Sequence, residues 1–183
     1  YVMRKKPKTI QDVGTGFGKW AILCREYREC WAGRVHPKDW QLTIDGIEAW
    51  QPFLTLPWVK ELYTTIHLGD AYEVIDSLGD YDMIIANDVL EHMSKERGAE
   101  LLRKILRKSK SAIINIPVGE EWMNNKVVDG NHYDKHQAVW HMDEMTQAGQ
   151  AENRIAACHI WQGVRGRNVC AFYEARHDTV QAT

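Results

Sequence analysis

The sequence predicts a single α/β domain with a mostly parallel sheet, and three observations support this prediction. Short apolar runs typical of buried strands alternate along the chain with amphipathic helical patterns, which implies parallel pairing through right-handed crossovers. The first run leads into three glycines at alternate positions. The last two β-like segments, residues 155–162 and 168–176, are typical of a hairpin that closes one edge of the sheet. The 183 residues, taken as one unit over 1–183, are enough for a sizeable core.

Five strands precede the hairpin, and each ends in a polar or glycine-rich turn. Gln11 lies in the first, where a central strand is normally apolar on both faces, so its side chain requires a hydrogen-bonding partner. The apolar stripe of the first helix is expected to lie on the sheet, and it consists of Trp20, Ala21, Leu23, Cys24 and Tyr27. The predicted strands are residues 8–13, 41–48, 64–68, 81–86 and 111–117. The predicted helices are residues 19–31, 50–62 with a break at Pro57, 71–78, 94–108, and 143–148 with Gly149 as its stop.

Composition restricts the class of function. The 23 basic and 25 acidic side chains give a formal net charge of -2, which argues against a surface built mainly to hold nucleic acid. No apolar run is long enough for a membrane span, so no membrane partner is expected. The four cysteines form no Cys-x-x-Cys pair and indicate reduced thiols, which together with the absence of a signal-like start predicts a cytoplasmic protein.

The glycine turn after the first strand is the first candidate binding element. Gly14, Gly16 and Gly18 tolerate positive φ and let a ligand approach the backbone, and the following helix offers unpaired N–H groups. Glu48 ends the second strand beside this turn, where a carboxylate can accept both hydroxyl hydrogens of a ribose. A tight turn without a ligand and a solvated acid at a strand end are the alternative interpretations.

Polar residues also follow the third and fourth strands. Asp70 could accept a hydrogen bond from the exocyclic amine of adenine, or it could cap the helix that begins at Ala71, and the two roles are compatible. Asn87 follows the buried run of the fourth strand. Because the carboxyl ends of parallel strands share one edge, these side chains are expected near the glycine turn.

Four motifs in this order resemble those of the class I S-adenosylmethionine-dependent methyltransferases. They are Asp-Val-Gly-Thr-Gly-Phe-Gly at 12–18, Gly-Ile-Glu at 46–48, Gly-Asp-Ala at 69–71 and Tyr-Asp-Met-Ile-Ile-Ala-Asn-Asp-Val-Leu-Glu-His at 81–92. The resemblance covers residues 8–117. It implies a Rossmann-like, doubly wound sheet of seven strands in the order 3-2-1-4-5-7-6, with the last strand antiparallel. It also implies methyltransferase activity with S-adenosylmethionine as cofactor.

The resemblance assigns roles by position. The glycines would let the backbone approach the methionine part of the cofactor, and Asp12 would order that loop and the amino group. Glu48 would hold the ribose, Asp70 and the Ala71 N–H would read adenine, and Asn87 would lie near the sulfonium. The cofactor-binding residues implied are Asp12, Gly14, Thr15, Gly16, Phe17, Gly18, Glu48, Asp70, Ala71 and Asn87.

Residues 118–141 have no clear periodicity, and a loop of this length in a compact domain predicts a substrate lid. A hydroxyl acceptor benefits from a general base with a pKa near working pH, so His132 and His136 in this segment are the candidate catalytic residues. His92, after the fourth strand, is interpreted as a structural or helix-start residue.

The sequence leaves the roles of two other groups of residues in this segment undecided. His132, His136 and His141 with Asp134 could bind a metal, but their spacing matches no strong zinc signature and no metal is predicted. Trp122, Tyr133 and Trp140 could form the walls of an aromatic acceptor pocket or could be packing anchors.

The function predicted is O- or N-methylation of a small molecule or sugar. Methyl transfer from a sulfonium is an in-line displacement in which positioning supplies most of the acceleration, so few catalytic side chains are required. The absence of an Asn-Pro-Pro-Tyr stretch after the fourth strand argues against methylation of DNA bases. The alternative is a binding or structural module that keeps the fold without methyl transfer.

Overall fold

Seven strands form one sheet in the order β3-β2-β1-β4-β5-β7-β6, as the resemblance implied. The computed structural model describes residues 1–123, 127, 129–162 and 166–175. Strands β1 to β5 pair in parallel, and β7 runs antiparallel to both β5 and β6, which confirms the antiparallel last strand. The strands are β1 Thr9–Val13, β2 Thr43–Glu48, β3 Thr65–Leu68, β4 Tyr81–Asn87, β5 Ser109–Val118, β6 Arg154–Gln162 and β7 Arg167–Ala175.

Six α-helices are formed by the described residues. The first precedes the sheet and was not predicted, and the break expected at Pro57 is confirmed, since a 3-10 turn ends before it and a helix begins there. None of the described helices is both long and apolar enough to cross a membrane. The helices are α1 Val2–Lys5, α2 Lys19–Arg28, α3 Pro57–Leu62, α4 Ala71–Val74, α5 Lys95–Arg107 and α6 Met142–Ala151.

Gly149 does not stop α6, and that prediction was wrong. It lies buried inside the helix, where a Cβ atom would be 3.0 Å from the ring of Tyr173 and 3.2 Å from Ala156. The glycine therefore lets α6 approach the hairpin closely. Sequence pattern alone does not separate a helix-ending glycine from one required by packing.

The sheet is covered on both faces. Met83, Ile84, Ile85 and Ala86 of β4 are buried on both sides, as a central parallel strand requires. One face packs against α5 and α6, and the other packs against α2 and α3. Gln11 is buried in β1, where its Nε2 donates to the Asp45 carbonyl at 3.0 Å. That bond supplies a partner for Nε2, whereas the buried Oε1 has none among the described residues.

Helix α2 departs from its expected packing. Ala21 and Cys24 lie in the core as predicted, whereas Leu23 and Tyr27 are exposed at the wall of a large cavity. Arg25 is buried instead, and its guanidinium donates to the carbonyls of Leu42 and Leu62. One part of the apolar stripe therefore packs in the core, and another part lines the cavity.

The end of the predicted lid is fixed to the domain. Ala138 and Trp140 are buried in the core, and the backbone N–H groups of Gln137 and Ala138 donate to the Glu91 carbonyl. Residues 124–126 and 128 of the predicted lid lie outside the described residues. The lid stays a prediction.

Candidate active site

The glycine turn joins β1 to α2 with three residues at positive φ. At Gly14, with φ 74°, a Cβ atom would lie 2.7 Å from Cγ2 of Val89, so a side chain has no room. At Gly16, with φ 51°, a Cβ atom would meet nothing within 4 Å. The first glycine is therefore required by both space and conformation, and the second leaves its backbone open to a ligand.

Glu48 is tied to this turn. Its Oε2 accepts from the Gly16 N–H at 2.7 Å and from the Thr15 hydroxyl at 3.1 Å, and its Oε1 accepts from the Trp50 N–H at 2.7 Å. A carboxylate has about four acceptor sites, so it can take a further hydrogen bond from a ligand. The end of β2 and the turn after β1 thus form one continuous surface.

A cavity of about 580 Å³ lies over this surface, at the carboxyl ends of β1, β2 and β4. Its volume falls within the roughly 300–1,000 Å³ usual for small-molecule sites. Phe53, Arg97 and Tyr133 complete its wall. The predicted cofactor residues that line it are Gly14, Thr15, Gly16, Phe17, Glu48, Asp70, Ala71 and Asn87.

Asp12 and Gly18 do not line this cavity. The Asp12 side chain is 1% exposed, and its Oδ2 accepts from the Tyr63 hydroxyl at 2.6 Å. Burial raises the pKa of Asp12 to about 7, although the hydrogen bond from Tyr63 acts in the opposite direction. Gly18 precedes α2 at φ 90° and packs on Leu62. Both residues therefore support the turn from the side away from the cavity. The Asp12 side chain does not face the cavity.

Asp70 has the capping role that the sequence allowed. Its Oδ1 accepts from the Tyr72 N–H at 2.9 Å at the start of α4, and its Oδ2 contacts Nη2 of Arg97 at 3.0 Å. Arg97 on α5 was not predicted for the site, because its position there depends on how α5 packs against α4. The carboxylate at the cavity wall is therefore held by a cap and an ion pair.

Asn87 lies where the first cavity meets a second one. Its side chain is buried at the end of β4, and neither Oδ1 nor Nδ2 has a hydrogen-bond partner among the described residues. Buried amides without partners are rare, and they indicate that a ligand or water supplies the missing bonds. Both atoms are therefore available at the junction.

The second cavity has a volume of about 1080 Å³ and mainly apolar walls. Tyr27, Trp122, Trp161 and Phe172 are among its aromatic residues, and Ile113 lies at its base on β5. Residues lining both cavities are Lys19, Trp20, Asn87, Asp88 and His92. The two cavities therefore adjoin over the carboxyl end of β4.

Three side chains cluster in the wall of the second cavity. Glu91 and His92 follow β4 in a 3-10 turn, and His136 comes from the segment after β5. Nε2 of His92 lies 3.9 Å from Oε1 of Glu91, and the centroids of the two histidine rings are 4.9 Å apart. His92 thus lines the site, a role that its position at a strand's carboxyl end could have indicated.

Burial shifts the pKa values of all three side chains of this cluster. It raises the pKa of Glu91 well above its ordinary value, and the neighbouring Asp88 adds to the effect. Burial and the nearby His136 lower the pKa of His92 to about 4. The pKa of His136 is also lowered by burial. Both imidazoles are consequently neutral at pH 7.

The other predicted residues of the segment are dispersed. His132 is exposed and lines neither cavity, so the structure does not bring it to the site. His141 caps the start of α6, and Trp140 is 2% exposed in the core. Tyr133 and Asp134 line the first cavity, and Asp134 is not among the grouped ligand atoms of Glu91, His92 and His136. The grouping of His132, His136, His141 and Asp134 considered from sequence is therefore not formed.

Known proteins similar to this chain are found by comparing structures and not by comparing sequences. No protein-family model matches the sequence, and no curated protein sequence matches it significantly. The N-terminal domain of EvdMO1, solved in the presence of SAH and D-fucose, is 14% identical with a TM-score of 0.68, and the match covers 96% of this chain and 79% of that one.

Two further solved structures are similar. A SAM-dependent methyltransferase from Archaeoglobus fulgidus is 15% identical with a TM-score of 0.68, over 92% of this chain and 86% of that one. Magnesium protoporphyrin IX methyltransferase (ChlM) from Synechocystis PCC 6803, solved with bound SAH, is 11% identical with a TM-score of 0.65, over 91% and 74%. The sheet order, the glycine turn and these similarities show that the chain has the fold of the class I S-adenosylmethionine-dependent methyltransferases.

Proposed function

We propose that the protein is an enzyme that methylates an oxygen or nitrogen of a small molecule, with S-adenosylmethionine as the methyl donor. One observation carries the proposal: a cavity built from the glycine turn and Glu48 adjoins a second, apolar cavity at the unpartnered amide of Asn87. A donor site and an acceptor site must meet in this way if a group is to pass between them.

The residues of the first cavity fit the cofactor. Glu48 lines the cavity and would accept a hydrogen bond from a ribose hydroxyl, since Thr15, Gly16 and Trp50 take three of its about four acceptor sites. The open backbone at Gly16 would lie along the methionine part, and the Asp70–Ala71 corner would contact adenine. Asn87 would hold the methionine end, which would satisfy its buried amide.

The chain's own contribution is positioning. When bound, S-adenosylmethionine supplies a methyl group that is electrophilic because it is attached to a positively charged sulfur. The side chains at the junction would hold the acceptor beside that group, and the apolar walls would exclude water. His136 is the predicted histidine that faces the acceptor cavity, and its neutral ring can accept a proton or a hydrogen bond from an acceptor hydroxyl.

The walls of the second cavity indicate the class of acceptor. Aromatic and aliphatic side chains such as Trp161 and Phe172 favour a molecule with an apolar or aromatic body. Its polar groups, including Asp88 and Asn115, lie toward the junction. The acceptor would therefore be an apolar molecule whose hydroxyl or amine points to Asn87. This body is more apolar than that of a simple sugar.

Calorimetry with S-adenosylmethionine and S-adenosylhomocysteine tests the proposal. We expect one site per chain for each, and transfer of a radiolabelled methyl group to hydroxyl-bearing aromatic compounds in a screen. Circular dichroism and a thermal melt establish that the protein is folded. If the folded protein gave no binding heat with either compound, the proposed function would be wrong.

A further inference from the structure

We propose that Glu91, His92 and His136 bind a divalent first-row transition-metal ion, which in turn ligates the oxygen of the methyl acceptor. The metal site follows from the geometry alone, whereas its role toward the acceptor rests on the proposed function. No metal was predicted from the sequence, which grouped His136 with His132, His141 and Asp134.

The three side chains form a suitable set of ligand atoms. One carboxylate oxygen and one nitrogen from each imidazole all lie within 4.8 Å of one another. Metal–ligand bonds of about 2.0–2.2 Å place ligand atoms closer than this, so small rotations of the side chains would close the site. Imidazole and carboxylate together suit ions such as Mn²⁺, Co²⁺ and Zn²⁺.

The carboxylate of Glu91 lacks the partner that its burial demands. The residue is 1% exposed and lines the acceptor cavity, and neither of its oxygens has a hydrogen bond among the described residues. Its contact with Nε2 of His92, at 3.9 Å, is too long for a hydrogen bond. Buried acids are normally paired or bound to a metal, and a cation between Glu91 and the two rings would supply the missing partner.

The His92 ring is oriented by a contact outside the cluster. Nδ1 of His92 lies 3.3 Å from the Lys135 carbonyl, which leaves Nε2 free on the side of Glu91. A metal-binding histidine typically donates its second ring N–H to a carbonyl or carboxylate in this way.

The backbone fixes the two halves of the cluster to each other. Gln137, the neighbour of His136, donates its backbone N–H to the Glu91 carbonyl at 2.7 Å and its Nε2 to the His92 carbonyl at 2.6 Å. These hydrogen bonds therefore fix the turn after β4 and the segment after β5 relative to each other. The geometry of the cluster is therefore determined by these hydrogen bonds.

The position of the cluster gives the ion its role. Three protein ligands leave at least one coordination position, as in catalytic sites, and here that position would face the acceptor cavity. Asp88, which lines both cavities, adds a second carboxylate that helps to balance the charge of the ion. A bound ion would lower the pKa of the acceptor hydroxyl and fix its oxygen in place, and His136 would then act as a ligand instead of a base. The hydroxyl proton would pass to the nearby carboxylate of Asp88, and the oxygen would take the methyl group as the cofactor leaves as a neutral thioether.

Binding of Mn²⁺ and Co²⁺ to the full chain tests the proposal. Protein freed of metal with EDTA is titrated with MnCl₂ while the electron paramagnetic resonance signal reports free Mn²⁺, and Co²⁺ binding is followed by visible absorption. The Glu91→Gln variant removes a charged ligand without changing the side chain's volume, and His136→Asn removes an imidazole ligand. His132→Asn is the matched control, since His132 comes from the same segment but lies in neither cavity.

We expect one Mn²⁺ or Co²⁺ per chain in the wild type and in His132→Asn, and an affinity at least about tenfold lower in the two ligand variants. Equal affinity in all four folded proteins, or no binding by the wild type, would overturn the metal site. S-adenosylhomocysteine binding is measured on the same samples. Cofactor binding without metal binding would reject only the metal site, and metal binding without cofactor binding would reject only the proposed function.

Discussion

The backbone N–H of Gly16 donates to Oε2 of Glu48 across 2.7 Å, which joins the turn after β1 to the end of β2. The same oxygen accepts from the Thr15 hydroxyl, so one carboxylate orders two residues of the turn. The residue proposed to hold the ribose is thus also the residue that shapes the loop beside it.

Replacing Glu48 with Gln should weaken cofactor binding. The amide keeps the side chain's size but loses the charge that accepts from Gly16, Thr15 and Trp50 and that we propose accepts from the ribose. A hydrogen bond to a charged group contributes about 1.5–3 kcal/mol, so we expect about a 10- to 100-fold lower affinity for S-adenosylhomocysteine by calorimetry. Glu61→Gln, an exposed position on α3, is the control and should bind like the wild type. Unchanged affinity in Glu48→Gln would contradict the role.

Two glycines of the turn should differ in their tolerance of alanine. Gly14→Ala and Gly16→Ala both place a side chain at positive φ, which costs about 1–2 kcal/mol. Only Gly14→Ala also drives a Cβ atom against Val89, a clash that adds about 1–3 kcal/mol. Urea unfolding should therefore show the larger loss of stability for Gly14→Ala. Equal losses in the two variants would show that Val89 moves aside freely.

Asp12→Asn should change the pH dependence of stability. The pKa of folded Asp12 is about 7, above its ordinary value near 3.8, because burial disfavours the charge. The folded state therefore holds this proton between about pH 4 and pH 7 while the unfolded state releases it, so the Asp12 contribution to stability falls as pH rises through that window. Asn does not ionise, and its carbonyl can still accept from Tyr63.

The measurement is the free energy of unfolding of both proteins at pH 4.5 and pH 8. Each pKa unit corresponds to about 1.4 kcal/mol, so the stability of Asp12→Asn relative to the wild type should improve by a few kcal/mol between the two values. The charge of Glu48 also raises the pKa of Asp12, and this repulsion is part of the contribution that Asp12→Asn removes. A difference independent of pH would reject the assignment.

Gly98→Ala should destabilise the fold although alanine is the better helix former. Gly98 is buried in α5, where a Cβ atom would lie 2.8 Å from the Leu90 carbonyl oxygen and 2.8 Å from the ring of Trp140. Such overpacking costs about 1–3 kcal/mol and outweighs the propensity gain of about 1 kcal/mol. Gly79→Ala, with nothing within 4 Å, is the control and should leave the thermal midpoint unchanged or raise it. A midpoint raised by both changes would contradict this packing.

The sequence predicted what depends on local pattern. The alternation of buried runs and amphipathic stretches identified the strands, and residues at their carboxyl ends, such as Glu48, Asp70 and Asn87, lie at the cavity because parallel strands end at one edge. Whether Asp12 faces a ligand or the core was not predictable, because it depends on the packing of Tyr63, which follows α3.

The acceptor side was predicted less well. The segment after β5 lacks periodicity, so nothing in the sequence indicated that His136 would meet Glu91 and His92, which lie far away along the chain. The same limit applies to Gly98 and Gly149, whose roles depend on the rings of Trp140 and Tyr173 packed against them. Contacts between distant segments decide each of these cases.

The five side chains common to both cavities have a consequence for inhibitor design. One compound that joins an adenosine-like half to an aromatic half could occupy both spaces, since they adjoin at Asn87. Once the first half is bound, a short linker would present the second at an effective concentration of about millimolar, so two weak fragments would combine into a tight ligand. Linking fragments across Asn87 would also reveal the acceptor's preferred shape before the acceptor itself is identified.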